Sequence, residues 1–247
     1  MSPPSTRAAI VTGASRGIGR DIALRLAQDG HAVAVGYAHD PAKAQEVVTA
    51  IVNGGGHALA IQADVSAQDD VERLFSTAQS AFGRLDAVVC SAGVMGMATV
   101  RMENVADFDS MMAVNARGTF LVLAKAAETL AEGGRIVALS SSVIAKASPG
   151  YGPYIASKAA VEGLVHVLAN ELRGRGITVN AVAPGPVATE LFFKGKTEEQ
   201  VAMLSKMAPL ERLGAWAGAA GKRRIRLKPR PFAHFTNVCF GPIAYVQ

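Results

Sequence analysis

Residues Ala8–Gly19 read AAIVTGASRGIG, and this stretch decides the fold. Ala8–Thr12 is an uncharged, β-compatible run of buried-strand character. Gly13, Gly17 and Gly19 then crowd a turn with the spacing G-x-x-x-G-x-G. Ile18, Ile22 and Leu26, each four apart, mark one face of a helix that ends at Gly30. Strand, glycine turn and helix in this order open a unit that binds nucleotide phosphates. Glycines let the backbone approach a pyrophosphate, and the helix start offers amide donors and a positive dipole. Gly13, Ser15, Arg16, Gly17, Ile18 and Gly19 are therefore candidate cofactor-binding residues. The plain alternative is a purely structural turn.

The alternation continues outward. His31–Tyr37 reads as a second strand, and Asp40-Pro41 as an N-cap with proline at the first helical position. The helix they open runs to about Asn53 and stops at Gly54-Gly55-Gly56. Further strands are expected at Ala58–Ala63, Leu85–Cys90, Ile136–Ser140 and Ile177–Val182, with a helix from about Ser66 to Phe82 and long helices over 105–131 and 152–173. Strands alternating with helices predict an α/β fold: a Rossmann-like doubly wound parallel sheet flanked by helices on both faces. Its ligands bind beyond the carboxyl ends of the strands. Residues 190–212, with Gly195 and the amphipathic Glu198–Met207, read as an insertion over the sheet edge.

Composition narrows the function classes. The chain has 247 residues, half of them hydrophobic, enough for a full core without metals or disulfides. No apolar run is long enough to span a membrane, and Met1–Thr6 lacks a signal-peptide pattern. Cys90 and Cys239 are too few for a disulfide framework and suit a reducing, cytoplasmic setting. No His or Cys pair has metal-ligand spacing, so no metal is expected. The net charge of +5 belongs to the C-terminus. Residues 214–247 carry six Lys or Arg and no acid, which leaves 19 basic and 20 acidic residues before them. The body thus gives no electrostatic reason to expect nucleic acid.

Two further constellations carry chemistry. The second strand ends in Gly36-Tyr37-Ala38 rather than in a carboxylate, which would bond the ribose 2′-hydroxyl of NAD and repel a 2′-phosphate. Neutral Tyr37 with Arg16 nearby favours NADP(H) over NAD; Asp40 is the rival, better used as a helix cap. Downstream, Tyr154 and Lys158 stand four apart on one helix face. A nearby ammonium favours phenolate and lowers the tyrosine pKa, making it a usable acid–base group. Ser140-Ser141-Ser142 at the end of the fifth strand brings a hydroxyl to the same region.

Taken together, the glycine turn and the Y-x-A-S-K of Tyr154–Lys158 resemble the short-chain dehydrogenase/reductase family over about residues 7–213, closest to its 3-oxoacyl-acyl-carrier-protein reductase-like branch. The resemblance extends to Asp64-Val65, where the family holds the adenine, and to Ala92-Gly93 of a Cys90-Ser91-Ala92-Gly93 run beside the cofactor. It includes Asn115, and Pro184-Gly185-Pro186-Val187-Ala188-Thr189, of which Pro184, Gly185, Val187 and Thr189 would border the nicotinamide. It implies NADP(H)-dependent reduction of a carbonyl, a 3-oxoacyl thioester or related ketone. Tyr154 would be the general acid/base and Ser141 would orient the carbonyl oxygen, with Ser142 as the alternative. Lys158 would tune Tyr154 and bind ribose, and Asn115 would hold a relay water. An NAD-linked alcohol or sugar dehydrogenase, or a nucleotide-binding protein without turnover, are the rival readings. The family's paired asparagines are absent before Ala92, which implies a modest loss of bracing. Met95, Met97, Met102, Met111 and Met112 suit a substrate pocket or core filling; Leu191, Phe192 and Phe193 suit an apolar lid or ordinary packing.

The C-terminus departs from this pattern. After Gly214 the chain lacks acids and a helix start, and carries Pro229, Pro231 and Pro242, which break regular structure. Residues 1–213 read as one dinucleotide-binding and catalytic domain, and 214–247 as an atypical basic tail replacing the family's last helix and strand, as a shifted reading frame would produce. The sheet is then expected to lose its last strand. The family's homo-oligomer would be reduced from a tetramer to a dimer through the long helices, or to an aggregation-prone chain.

Overall fold

Side chains along a strand alternate between the two sheet faces, and here both faces are covered. The computed structural model describes residues 6–206, 211–214 and 239–241. Its strands are β1 (Ala8–Thr12), β2 (Ala32–Tyr37), β3 (Ala58–Gln62), β4 (Ala87–Cys90), β5 (Arg135–Leu139), β6 (Thr178–Pro184) and β7 (Cys239–Gly241). The principal helices are α1 (Gly17–Gln28), α2 (Pro41–Asn53), α3 (Gln68–Phe82), α4 (Val105–Met111), α5 (Gly118–Thr129), α6 (Val143–Lys146), α7 (Gly152–Glu171), α8 (Glu190–Phe193) and α9 (Glu198–Lys206). All strand pairs are parallel, in the order β3-β2-β1-β4-β5-β6-β7.

Ala9, Val11, Val33 and Val35 pack with Ile22, Ala23 and Leu26 of α1 and Ala44, Val47 and Ile51 of α2 on one face. Ala8, Ile10, Val88 and Ile136 face the other way, against Leu74 and Phe75 of α3, Val122 and Leu123 of α5, and Val161 and Val165 of α7. The doubly wound reading is therefore the observed architecture. Its order reverses between β1 and β4, so a crevice opens at their carboxyl ends, where the glycine turn lies.

Local signals set most boundaries. Asp40 caps α2, its Oδ1 accepting from the Lys43 amide at 3.0 Å, with Pro41 in the first turn. The third helix starts at Gln68 rather than Ser66, because Ser66 donates through both its amide and its hydroxyl to Asp64 Oδ1 and closes a local turn instead. The helix expected over 105–131 contains a π-helical segment at Met112–Arg117 between α4 and α5. The expectation that the sheet loses its last strand is corrected: Val182, Ala183 and Pro184 pair with Cys239, Phe240 and Gly241. The pairing survives the altered tail composition because it uses backbone groups rather than particular side chains, Pro184 contributing its carbonyl alone. The tail's basic and proline-rich stretch lies outside the described residues.

Candidate active site

The turn after β1 is shaped by contacts that tolerate no side chain. Gly13 has φ +63°, and a Cβ there would lie 2.7 Å from Ala92 Cα; a Cβ at Gly19 would lie 2.4 Å from the Gly13 carbonyl oxygen. The β1 turn, the start of α1 and the segment after β4 are thus in direct backbone contact. Thr12 locks them: its Oγ1 accepts from the amides of Ser91 and Ala92, each at 3.1 Å. This hydroxyl ties the end of β1 to the segment after β4. Gly17, at φ +56°, faces Thr189, whose Cγ2 would stand 3.5 Å from a Cβ. Ser15, Arg16 and Ile18 complete the turn, and α1 opens behind Arg16 with no side chain capping its first amides. Uncapped amides at a helix start, beside glycines, are the donor set that nucleotide phosphates need, so the site fits a dinucleotide.

The proton-handling groups converge beside it. Tyr154 and Lys158, one turn apart on α7, are both buried. Lys158 Nζ lies 5.8 Å from the Tyr154 ring centroid and donates to the Leu139 carbonyl at 2.8 Å. The three serines after β5 separate into distinct positions. Ser140 Oγ donates to Glu162 at 2.6 Å. Ser141 hydrogen-bonds the Tyr154 side chain. Ser142 donates its amide to the Pro184 carbonyl at 3.0 Å and precedes α6. Ser141 is therefore the serine that meets the tyrosine.

Asn115 is fully buried in the π-helical segment, an irregularity that recurs at functional sites. Its Oδ1 accepts from Val94 N at 2.8 Å; its Nδ2 donates to Val94 O at 2.9 Å and to Ser157 Oγ at 3.0 Å. Ser157 Oγ in turn donates to the Tyr154 carbonyl at 2.8 Å. Gly93 fits between these groups: a Cβ there would meet Asn115 Oδ1 at 3.1 Å and Lys158 Nζ at 3.5 Å. Met111, Tyr151 and Tyr154 form a small apolar cluster with Val94 and Met95 against it, whereas Met97 and Met102 are exposed.

One expectation is reversed. Burial pushes the Tyr154 phenol up to about 12, opposed by the Ser141 hydrogen bond and reinforced by Tyr151. Lys158 does not lower it, because the same burial brings the lysine down to about 8. Desolvation disfavours both charged forms. Burial likewise raises the Cys90 thiol to about 12, so it behaves as a small core residue.

The remaining candidates sit at the rim. Tyr37 ends β2, its carbonyl accepting from Ala63 N at 2.7 Å. Asp64 Oδ1 is engaged by Ser66, and Val65 is a core residue packed on Gly118; neither side chain joins the Tyr154 cluster. Pro184 ends β6, Gly185 follows, and Val187 is buried and bridges to Gly214. Thr189 caps α8, its Oγ1 accepting from Phe192 N at 3.2 Å. Sequence reasoning missed Thr12 and Ser157, although both lie inside quoted motifs.

The family model for short chain dehydrogenase matches residues 7–200. A protein of Arabidopsis thaliana named NADPH-dependent aldehyde reductase-like protein, chloroplastic, is 44% identical over 226 residues, covering 86% of this chain and 84% of that protein. The 3-oxoacyl-acyl-carrier-protein reductase FabG of Staphylococcus aureus is 41% identical over 211 residues, covering 85% of each chain. The crystal structure of a short chain dehydrogenase from Burkholderia cenocepacia in complex with NADP superposes with a TM-score of 0.81 at 37% identity, covering 87% of each chain. With its glycine turn at the β1–β4 crevice and the matched sequence running through Tyr154 and Lys158, the chain belongs to the short-chain dehydrogenase/reductase family.

Proposed function

We propose that this protein is an NADP(H)-dependent carbonyl reductase, acting on an aldehyde, a ketone or a 3-oxoacyl thioester. The observation that carries the reading is the Ser141–Tyr154 hydrogen bond, buried beside Lys158 and one backbone contact from the glycine turn. Arg16 and the absence of a carboxylate at Tyr37 favour the phosphorylated cofactor, and the NADP named for the Burkholderia structure agrees. Gly13, Ser15, Gly17, Ile18 and Gly19 would hold the phosphates. Asp64, Val65, Ala92, Gly93, Pro184, Gly185, Val187 and Thr189 would line the rest of the dinucleotide.

Bound NADPH supplies a hydride for the carbonyl carbon. Tyr154, kept protonated by burial, donates its proton as negative charge grows on the carbonyl oxygen. Ser141 holds that oxygen in line with the phenol. Lys158 is near its own neutral point and can pass a proton towards Tyr154, and Asn115, held by three hydrogen bonds, would hold the water at the end of that relay. The domain spans 1–213, followed by the basic tail. We further propose a cytoplasmic homo-oligomer built on the long helices, with no nucleic-acid or membrane partner. No helix among the described residues is long and apolar enough to cross a membrane. Oxidation of NADPH and of NADH against an acyl thioester, a sugar, an aldehyde and a diketone tests the activity. Turnover with NADPH is expected. A preference for NADH would identify an NAD-linked dehydrogenase, and cofactor binding without turnover on any carbonyl would reject the enzyme reading.

A further inference from the structure

Three consecutive residues at the end of β5 each bond a different turn of α7. The Leu139 carbonyl accepts from Lys158 Nζ at 2.8 Å, the Ser140 hydroxyl donates to Glu162 Oε1 at 2.6 Å, and Ser141 hydrogen-bonds the Tyr154 side chain. Tyr154, Lys158 and Glu162 stand four apart on α7, so they share one face of the helix. Ser140 and Ser141 therefore reach in opposite directions along it, to the turns on either side of Lys158. Two of these contacts involve the reacting groups. The Ser140–Glu162 bond involves neither, and the proposed proton transfers do not use it.

We propose that Glu162 is a positioning residue that acts through Ser140 to hold Ser141 at Tyr154. The proposal rests on the carbonyl-reductase reading and adds to it the group that sets the Ser141–Tyr154 approach. The backbone after β5 is tied to the sheet: the Ser140 amide donates to the Val182 carbonyl at 2.7 Å and the Ser142 amide to the Pro184 carbonyl at 3.0 Å. These bonds fix the segment against β6, but the tyrosine is carried by α7. Lys158 supplies one bond between the segment and α7, and a helix held at one point can pivot about it. A second bond one turn further on, at Glu162, removes the pivot. Lys158 also serves the proton relay, whereas Glu162 serves as an anchor alone.

The chemistry of the bond suits that task. Ser140 is 4% exposed, and 2.6 Å is the length of a hydroxyl donating to a carboxylate, a stronger bond than one between neutral groups. Glu162 is only partly buried, so water reaches the carboxylate and its desolvation cost is small. Engaging Ser140 here also takes its hydroxyl out of competition with Ser141 for the phenol. Adjacent serines are chemically equal, and the choice between them is made by what else each can bond.

Steady-state NADPH oxidation with an aldehyde or an acyl thioester, with NADP+ affinity by calorimetry, tests this. Glu162→Ala and Ser140→Ala are each expected to lower kcat about tenfold, with KM and NADP+ affinity nearly unchanged, because a small misplacement of a reacting partner slows chemistry and not binding. The double variant is expected to be no slower than either single one, since both remove the same bond. Glu162→Gln keeps an acceptor for the Ser140 hydroxyl and is expected to restore most of the lost kcat. In a Ser141→Ala background, followed by single-turnover NADPH oxidation, Glu162→Ala is expected to cost nothing further. An unchanged kcat in Ser140→Ala, a Glu162→Gln as slow as Glu162→Ala, or a further loss in the Ser141→Ala background overturns the positioning role. Thermal melts identify a variant that fails to fold; Ser140→Ala, which removes only a hydroxyl, then carries the test. A wild-type chain without turnover on any carbonyl overturns the reductase reading, and this proposal with it.

Discussion

At the residue scale the active-site reading turns on two buried titratable groups with opposite shifts. Tyr154→Phe keeps the ring packed against Tyr151 and Met111 but removes the proton donor. Carbonyl reduction should fall by at least about 10²-fold, the ordinary worth of a general acid, with NADP+ affinity nearly unchanged by calorimetry. Lys158 yields a stability prediction. Its folded pKa of about 8 lies below the ordinary 10.5. Below about pH 8 the folded chain buries an ammonium. Between pH 8 and 10.5 the unfolded chain holds the proton and the folded chain does not, so stability rises with pH through that window. Lys158→Met removes the buried charge and should stabilise the protein by about 2 kcal/mol at pH 7, despite losing activity. That gain should shrink as pH climbs from 8 towards 10.5 in thermal melts. A destabilised variant at pH 7 would mean that the bond to Leu139 outweighs the desolvation.

At the element scale the β1–α1 turn is the most constrained piece of backbone. A methyl group at Gly19 would collide with the Gly13 carbonyl, a backbone atom that has no rotamer through which to yield. Gly19→Ala should therefore cost about 2 kcal/mol, within the range for overpacking a filled site. It should also displace the amides at the start of α1 and abolish nucleotide binding; denaturant unfolding and calorimetry read the two effects separately. Gly17 is the useful contrast, since a Cβ there meets only Thr189 at 3.5 Å and the strain comes from its positive φ. The π-helical segment at 112–117 is an element-scale feature too. It interrupts the long helix at Asn115, allowing the side chain to bond both backbone groups of Val94.

At the scale of the whole molecule the helices that cover the sheet leave large apolar side chains outside. Phe108 on α4, Phe120 on α5 and Val167 on α7 are 41%, 52% and 56% exposed. They lie on the two long helical stretches through which the proposed dimer forms. Phe120→Asp should shift the mass measured by light scattering from dimer to monomer while the circular dichroism spectrum is kept. A wild-type monomer, or an unchanged dimer in the variant, would rule out that face. At one edge of the sheet the three-residue β7 pairs with the end of β6, so the outermost strand there is short, which limits edge-to-edge pairing.

Periodicity and turn chemistry are local properties, and they carried the strand–helix alternation, the Asp40 cap, the glycine turn and the tyrosine–lysine pair from sequence alone. Boundaries slipped where a side chain found an alternative partner, as at Ser66, and the π-helical segment went unseen because its spacing differs from an α-helix by one residue in a turn. Three decisions belonged to the tertiary structure. The sequence names Ser141 first with Ser142 as the alternative, and which of them meets Tyr154 depends on the course of the chain after β5. The joining of Ser140 to Glu162 depends on the end of β5 meeting α7. The direction of the Tyr154 shift depends on burial, and desolvation is set by everything packed around a group rather than by the neighbours that a motif names.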